Sequence, residues 1–183
     1  MSHNNHNPYI MGLDKNEANY SVLSPLSFIQ RSASVYPNHL AVVHQDTRRT
    51  WSETYKRTVK LASALIKNGI QKGDTVAFMA PNVPELFEAH FGVPMAGAVL
   101  NALNTRLDAE ALAFILQHGE AKIIFVDREF SEVISRAVKM IQHKPVVIDI
   151  DDLYYEGGEL IGSMDYEAFI AQGDEDFSWS LPE

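Results

Sequence analysis

The stretch Gly73-Asp74-Thr75-Val76-Ala77-Phe78-Met79-Ala80-Pro81-Asn82 decides the architecture. From Val76 to Ala80 it has no polar face, so it does not fit a strand with one side in water and reads instead as one covered on both sides. Such strands belong to parallel sheets flanked by helices, and the sequence on either side repeats that pattern. Downstream, a helix is expected from about Pro84 with Leu86, Phe87, His90 and Phe91 along one stripe. Pro94, which lacks a backbone donor, should kink or end it. A short strand follows at 98–100, then a helix at 108–117 with Leu107, Ala111, Phe114 and Ile115 turned inward, then a strand at 122–126. Phe130, Val133, Ile134, Ala137 and Ile141 share a further helical stripe, and 145–150 is another strand.

Upstream, Ser24-Pro25 supplies a cap and a proline at the first helical position. The short helix it opens carries Leu26, Ile29 and Ala33 and ends near Tyr36-Pro37. Residues 40–44 read as a strand and Gln45-Asp46-Thr47-Arg48-Arg49 as a polar turn, which makes a small hairpin leading into Thr50-Trp51. A second helix opens at Ser52 or Thr50 with Glu53 nearby, sets Tyr55, Val59, Ala62, Leu65 and Ile66 on one face, and stops at Asn68-Gly69. Strand and helix thus alternate roughly every 20–25 residues, the mark of parallel βαβ units. The expected fold class is α/β, an open, mostly parallel sheet with flanking helices. Residues 1–20 form a polar flexible tail, 21–150 the α/β unit, and 151–183 an acidic segment with a glycine-containing loop and a last short helix at 166–170.

The chain has 183 residues, 46% apolar and 21% charged, which suits one folded domain or a domain with a fragment of the next. Its net charge of −9 opposes a polyanion, so nucleic acid is not an expected partner. All 15 Lys and Arg lie before residue 151, whereas 10 of the 24 acidic residues lie after 150, so the acidity belongs to the tail. With no cysteine there is no disulfide framework, thiolate metal site or cysteine nucleophile. No secretory leader or transmembrane segment is legible, and the expectation is a soluble, cytoplasmic protein.

Open α/β sheets bind ligands at the carboxyl ends of their strands, yet neither Gly-x-Gly-x-x-Gly nor Gly-x4-Gly-Lys-Ser/Thr occurs. Gly157, Gly158 and Gly162 sit in an acidic segment that repels phosphate. Four other candidates each carry two readings. Asp149, Asp151 and Asp152 either hold Mg²⁺ or form a solvated acidic loop. His90 is a proton carrier or a structural histidine bonded to backbone. His3 and His6 share a metal or belong to a solvated tail. Arg106, just before a helix start and near Asn101 and Asn104, contacts a phosphate or pairs with Asp108 or Glu110.

Several stretches together carry a resemblance. They are Ser24-Pro25-Leu26 with Tyr36-Pro37, Arg49-Thr50-Trp51-Ser52-Glu53, Gly69-Ile70-Gln71-Lys72-Gly73-Asp74-Thr75-Val76, Pro81-Asn82, and the run from Gly92 through Asn101 to Asn104-Thr105-Arg106-Leu107. Over residues 24–130 the sequence resembles the opening segment of AMP-forming acyl-CoA synthetases, members of the adenylate-forming superfamily with firefly luciferase and coumarate–CoA ligase. It is most similar to the branch acting on fatty, benzoate- and cinnamate-type acids. The resemblance implies a two-step reaction with a small carboxylic acid, Mg·ATP and CoA as partners. A carboxylate attacks the α-phosphate of ATP to give acyl-adenylate and pyrophosphate, and the CoA thiol then displaces AMP.

It also implies that the family's phosphate loop, rich in Ser/Thr and Gly and ending in Pro-Lys, follows a segment like Tyr166-Glu167-Ala168-Phe169-Ile170. No glycine here is preceded by Ser or Thr, so the 183 residues do not contain that loop. The expectation is therefore an incomplete N-terminal subdomain, about the first third of such an enzyme, which binds no cofactor and performs no adenylation alone. A possible homodimer through uncovered sheet edges and apolar faces, as a non-catalytic interaction module, is the alternative. A free-standing nucleotide-binding domain fits the alternation but lacks a phosphate loop. By resemblance, the arginine of an Asn-x-Arg-Leu sequence contacts the nucleotide phosphate of CoA, which points to Arg106.

Overall fold

A computed structural model describes residues 23–181, with residues 12, 14, 16 and 18–20 before them. Most of the tail expected at 1–20, including His3 and His6, lies outside the described residues, as do residues 182–183 at the acidic end. In chain order the elements are α1 (Pro25–Val35), β1 (Leu40–His44), β2 (Thr47–Thr50), α2 (Trp51–Lys67), β3 (Thr75–Met79), α3 (Pro84–Met95) and β4 (Val99–Ala102). They continue with α4 (Ala109–His118), β5 (Ile123–Asp127), a 3₁₀ turn (Arg128–Phe130), α5 (Ser131–Met140), β6 (Val146–Ile150) and α6 (Tyr166–Ile170).

Local chemistry sets these limits. Ser24 Oγ accepts from the Leu26 amide at 3.3 Å in front of α1. At α2, Thr50 Oγ1 accepts from the Glu53 amide at 3.3 Å while Glu53 accepts from the Thr50 amide at 2.7 Å, a reciprocal capping box. Pro94 falls in the last turn of α3, which closes one residue later. The hairpin turn is tighter than the sequence reading placed it. Gln45, at φ 48°, and Asp46 make the corner, and the charged residues Arg48 and Arg49 belong to β2.

β4, β3, β5 and β6 lie side by side in that order, all parallel, and β1 and β2 form a separate antiparallel pair. Alternate residues of the parallel strands divide between two cores, as period-2 geometry requires. Val76, Phe78, Phe125, Ile148 and Ile150 join α1, α2, α3 and α6 on one face, with Phe78 and Phe125 stacked at 4.4 Å. Ala77, Met79, Ile124 and Val126 join α4 and α5 on the other. The central strands are thereby buried on both sides, which explains their unbroken apolar run.

Two helices turn differently from expectation. In α3 the buried residues are Pro84, Glu88, Ala89, Gly92, Val93 and Met95, while Phe87 and His90 of the expected stripe are exposed. In α4 the buried face is Ala109, Leu112, Ala113 and Leu116, and Phe114 is 68% exposed, stacked on His118. Both helices are apolar over most of their circumference, so periodicity did not single out the contact face.

Candidate functional site at the carboxyl edge of the sheet

β3 leads through α3 to its neighbour on one side, whereas β5, on its other side, leads through α5 to β6. The chain reverses direction between β3 and β5, and ligands of open α/β sheets gather outside the strand ends at such a point. Four loops converge on this edge: 80–83 after β3, 103–108 after β4, 128–130 after β5 and 151–165 after β6. A cavity of about 420 Å³ opens between the first turn of α3, the 151–154 loop, the start of α6 and the β1–β2 hairpin.

The wall between α3 and α6 is a buried ionic centre that sequence reasoning missed. Glu88, fully buried, accepts from Arg49 Nη1 at 2.8 Å and Arg57 Nε at 2.6 Å on Oε1, and from the Tyr166 hydroxyl at 2.8 Å on Oε2. Arg57 turns its other two nitrogens to Glu167 at 2.8 and 2.6 Å, a bidentate fork. Burial works against the Arg57 charge, yet Glu167 and Glu88 hold the guanidinium above its ordinary value. Burial likewise opposes the Glu167 carboxylate, but the Arg57 hydrogen bonds and charge keep it below the ordinary value. Tyr166 is pushed up, first by burial and then by the Glu88 charge, so it stays a donor. The centre ties β2, α2, α3 and α6 together. Its available signal was Glu88 beside Ala89 and Gly92, a charged residue on the small-residue side of α3.

Asp149 near the end of β6 and Asp151 and Asp152 after it are not brought together as cation ligands. Asp149 accepts from the amides of Ile161 at 2.9 Å and Gly162 at 2.9 and 3.0 Å, Asp151 pairs with Arg128 at 2.8 Å, and Asp152 caps its own turn through the Tyr154 amide at 2.9 Å. Among the described residues no group of three His, Asp or Glu side chains has metal-site geometry. The solvated-loop reading also needs correcting for Asp149, which is 3% exposed and organises the loop from inside. His90 is exposed and its Nδ1 lies 2.7 Å from the Leu86 carbonyl, the structural reading.

Asp127, at the tip of β5, is fully buried; Oδ1 accepts from the Glu129 amide at 2.9 Å and Oδ2 has no hydrogen-bond partner among the described residues. Burial pushes its carboxyl up to about 6, against the lowering effect of that amide. Arg106 lies in the loop leaving β4, exposed, its amide donating to Asn104 Oδ1 at 3.0 Å. Its guanidinium makes no ion pair among the described residues; Asp108, the partner expected from sequence, instead accepts from the Ala111 amide at 2.9 Å as the cap of α4. Arg106 is not part of the cavity lining.

Chemically, the cavity does not suit the phosphates of a nucleotide. Glu85, Asp151, Asp152, Asp165 and Glu167 surround it, and burial raises the Glu85 carboxyl above its ordinary value. The arrangement is a scaffold that fixes the strand ends and loops, with Arg106 exposed in the loop that leaves β4.

The family model described as AMP-binding enzyme matches residues 29–169. The chain therefore belongs to the AMP-binding enzyme family. An acetate–CoA ligase of Humulus lupulus is 42% identical over 183 residues, covering 93% of this chain and 32% of that protein. A peroxisomal trans-cinnamate:CoA ligase of Petunia hybrida is 41% identical over 180 residues, covering 91% of this chain and 32% of its own length. Among solved structures, an anthranilate CoA ligase in complex with anthranoyl-AMP superposes with a TM-score of 0.79 at 18% identity, over 91% of this chain and 32% of that one. A benzoate CoA ligase from Burkholderia xenovorans gives 0.75 at 17% identity, over 88% and 31%. The chain spans about a third of the length of the curated relatives it matches, and corresponds to an N-terminal part of an acyl-CoA ligase. The open, parallel α/β fold of those ligases is the fold found here.

Proposed function

We propose that this chain is the N-terminal part of an enzyme that joins a small carboxylic acid to CoA at the expense of ATP, and that residues 1–183 alone perform no adenylation. The observation that supports the reaction is the 42% identity to an acetate–CoA ligase across 93% of the chain. Inactivity of the isolated segment rests on physical grounds. Phosphoryl chemistry depends on positioned donors around the transferring group, and neither the sequence nor the acid-lined cavity supplies them. ATP, Mg²⁺ and CoA belong to the longer protein; in this segment Arg106 is the group suited to one of them, as an exposed guanidinium for the nucleotide phosphate of CoA.

The test has two arms. The purified 183-residue chain, given Mg·ATP and acetate, butyrate or cinnamate, should release no pyrophosphate; acid-dependent release would overturn the inactivity. The transcript read beyond the Glu183 codon should continue in frame to a Ser/Thr-Gly loop ending in Pro-Lys, and the longer protein should release pyrophosphate. A longer protein inert with every acid would overturn the reaction.

Self-association is a second reading, favoured by apolar side chains left uncovered. Phe28 is 58% exposed, Leu40 57% and Val43 60%, and β4 and β6 are edge strands with Val99 and Val146 more than half exposed. Light scattering should then show a homodimer, and a monomer at all concentrations would discard it. The described residues contain no helix long and apolar enough to cross a membrane. We place the protein in the cytoplasm as part of the same proposal; a fluorescent fusion concentrated in peroxisomes, the compartment in the Petunia enzyme's name, would replace that placement.

A further inference from the structure

Among the described residues the acidic segment after α6 forms no helix or strand, yet it is fastened to α2 between residues 172 and 179. Gly173 lies against the helix backbone so closely that a Cβ there would overlap the Lys60 carbonyl. Lys67 Nζ donates to the Gln172 carbonyl at 2.9 Å and to Asp174 Oδ1 at 2.8 Å, and the Asp174 amide donates to Ser63 Oγ at 3.0 Å. Lys56 and Lys60 face Glu175 at 3.6 and 3.7 Å. Trp179 Nε1 donates to the Tyr55 hydroxyl at 3.1 Å, and Phe177 and Trp179 pack on the main core.

Ion pairs on an exposed surface contribute little each. Here they come with a backbone approach that only glycine permits, a buried serine and two anchored aromatic rings. Asp174 and Glu175 of the acidic tail therefore have an assigned counterpart: the lysines at 56, 60 and 67, spaced along one side of α2.

We propose that residues 172–179 are a fixed strap that sets where the chain beyond them begins, with Gly173 and Lys67 as its positioning residues. This rests on the reading above, in which the family's phosphate loop follows this segment. The strap then carries the rigidity of α2 to that loop, so that its phosphate donors start from one place rather than from a wandering tether. A loop that starts from a wandering tether must be ordered each time the phosphates of ATP bind, and that ordering cost weakens binding rather than the chemical step.

The test is made in the chain extended through the phosphate loop and the rest of the ligase, with ATP and CoA as the titrated probes. Gly173→Ala and, separately, Lys67→Met should each raise the KM for ATP about tenfold or more, leave the KM for CoA unchanged, and lower kcat less than twofold. Lys67→Arg should restore the KM for ATP to within about twofold. A merely structural strap would instead lower kcat with the folded fraction and leave both KM values alone; that result overturns the proposal. So does an unchanged KM for ATP in Gly173→Ala when the Asp174 amide exchanges faster than in the parent 183-residue chain. If the parent extended protein releases no pyrophosphate, the ligase reading falls and takes the strap's role with it. Amide protection at Asp174 in the 183-residue chain is read separately, so the two failures stay distinguishable.

Discussion

Glu88 Oε2 accepts the hydroxyl of Tyr166 at 2.8 Å across 78 residues of sequence, while its Oε1 is shared by two arginines. The bond joins α3 to α6 inside a core from which water is excluded, so each partner's loss leaves the other unsatisfied. Tyr166→Phe should cost about 1–3 kcal/mol, the penalty of a buried acceptor without its donor. Glu88→Ala should cost about 3–5 kcal/mol, because Arg49 and Arg57 are then left facing each other. Urea unfolding of the singles and the double variant tests this. The double should be less damaging than the sum, and strict additivity would mean that the contact carries no coupling.

Asp127 predicts a slope of stability with pH. Its carboxyl stands at about 6 in the folded protein against the ordinary 3.8, so the folded state holds the proton more tightly. The resulting stabilisation is fully present below the unfolded value and is lost as pH rises through about 6. Wild-type protein should therefore lose roughly 1–3 kcal/mol relative to Asp127→Asn between acid and neutral pH, and none beyond. Glu53, Glu167 and Asp174, whose carboxyls are lowered, contribute the opposite slope at more acid pH, which the comparison cancels. Parallel curves for the two proteins from pH 4 to 7 would show that Asp127 does not titrate there.

Gly92 sets the distance between α2 and α3. A Cβ at this position would stand 2.7 Å from Leu61 Cδ2 and 2.9 Å from the Thr58 carbonyl oxygen, and the second of these is helix backbone. Leu61 can turn aside but Thr58 cannot. Gly92→Ala should gain helix propensity yet lose about 1–3 kcal/mol overall through overpacking. A raised melting temperature would show that the helices slide apart without cost.

The features written locally were legible: the Thr50 and Glu53 capping box, the Ser24-Pro25 start, the hairpin and the doubly buried run at Val76. Each depends on residues within a few positions of one another. The faces of α3 and α4 were not, because a helix apolar over most of its circumference has no preferred direction until its neighbours are known. The same holds for the ionic centre. Arg49, Arg57, Glu88 and Glu167 look like surface charges one at a time, and only the packing of four elements makes them a set. The anchoring of the acidic tail was not legible either, because Lys67, which holds Gln172 and Asp174, lies about a hundred residues earlier.

The ligand-binding role proposed for Arg106 can be told apart from a structural one by experiment. The residue is exposed, its guanidinium has no ion-pair partner among the described residues, and only its backbone amide serves the turn through Asn104. Arg106→Ala should therefore leave unfolding of the 183-residue chain within about 0.5 kcal/mol of wild type. In the extended ligase the same substitution should raise the KM for CoA about tenfold, the worth of one charge-assisted hydrogen bond pair to a phosphate, and leave the KM for ATP unchanged. Dephospho-CoA, which lacks the nucleotide phosphate, supplies the control. The parent should prefer CoA over it, and Arg106→Ala should lose that preference, whereas Arg106→Lys should keep part of it through charge without the bidentate fork. An unchanged preference in Arg106→Ala would remove the assignment and leave the residue a solvated side chain at the rim of the sheet.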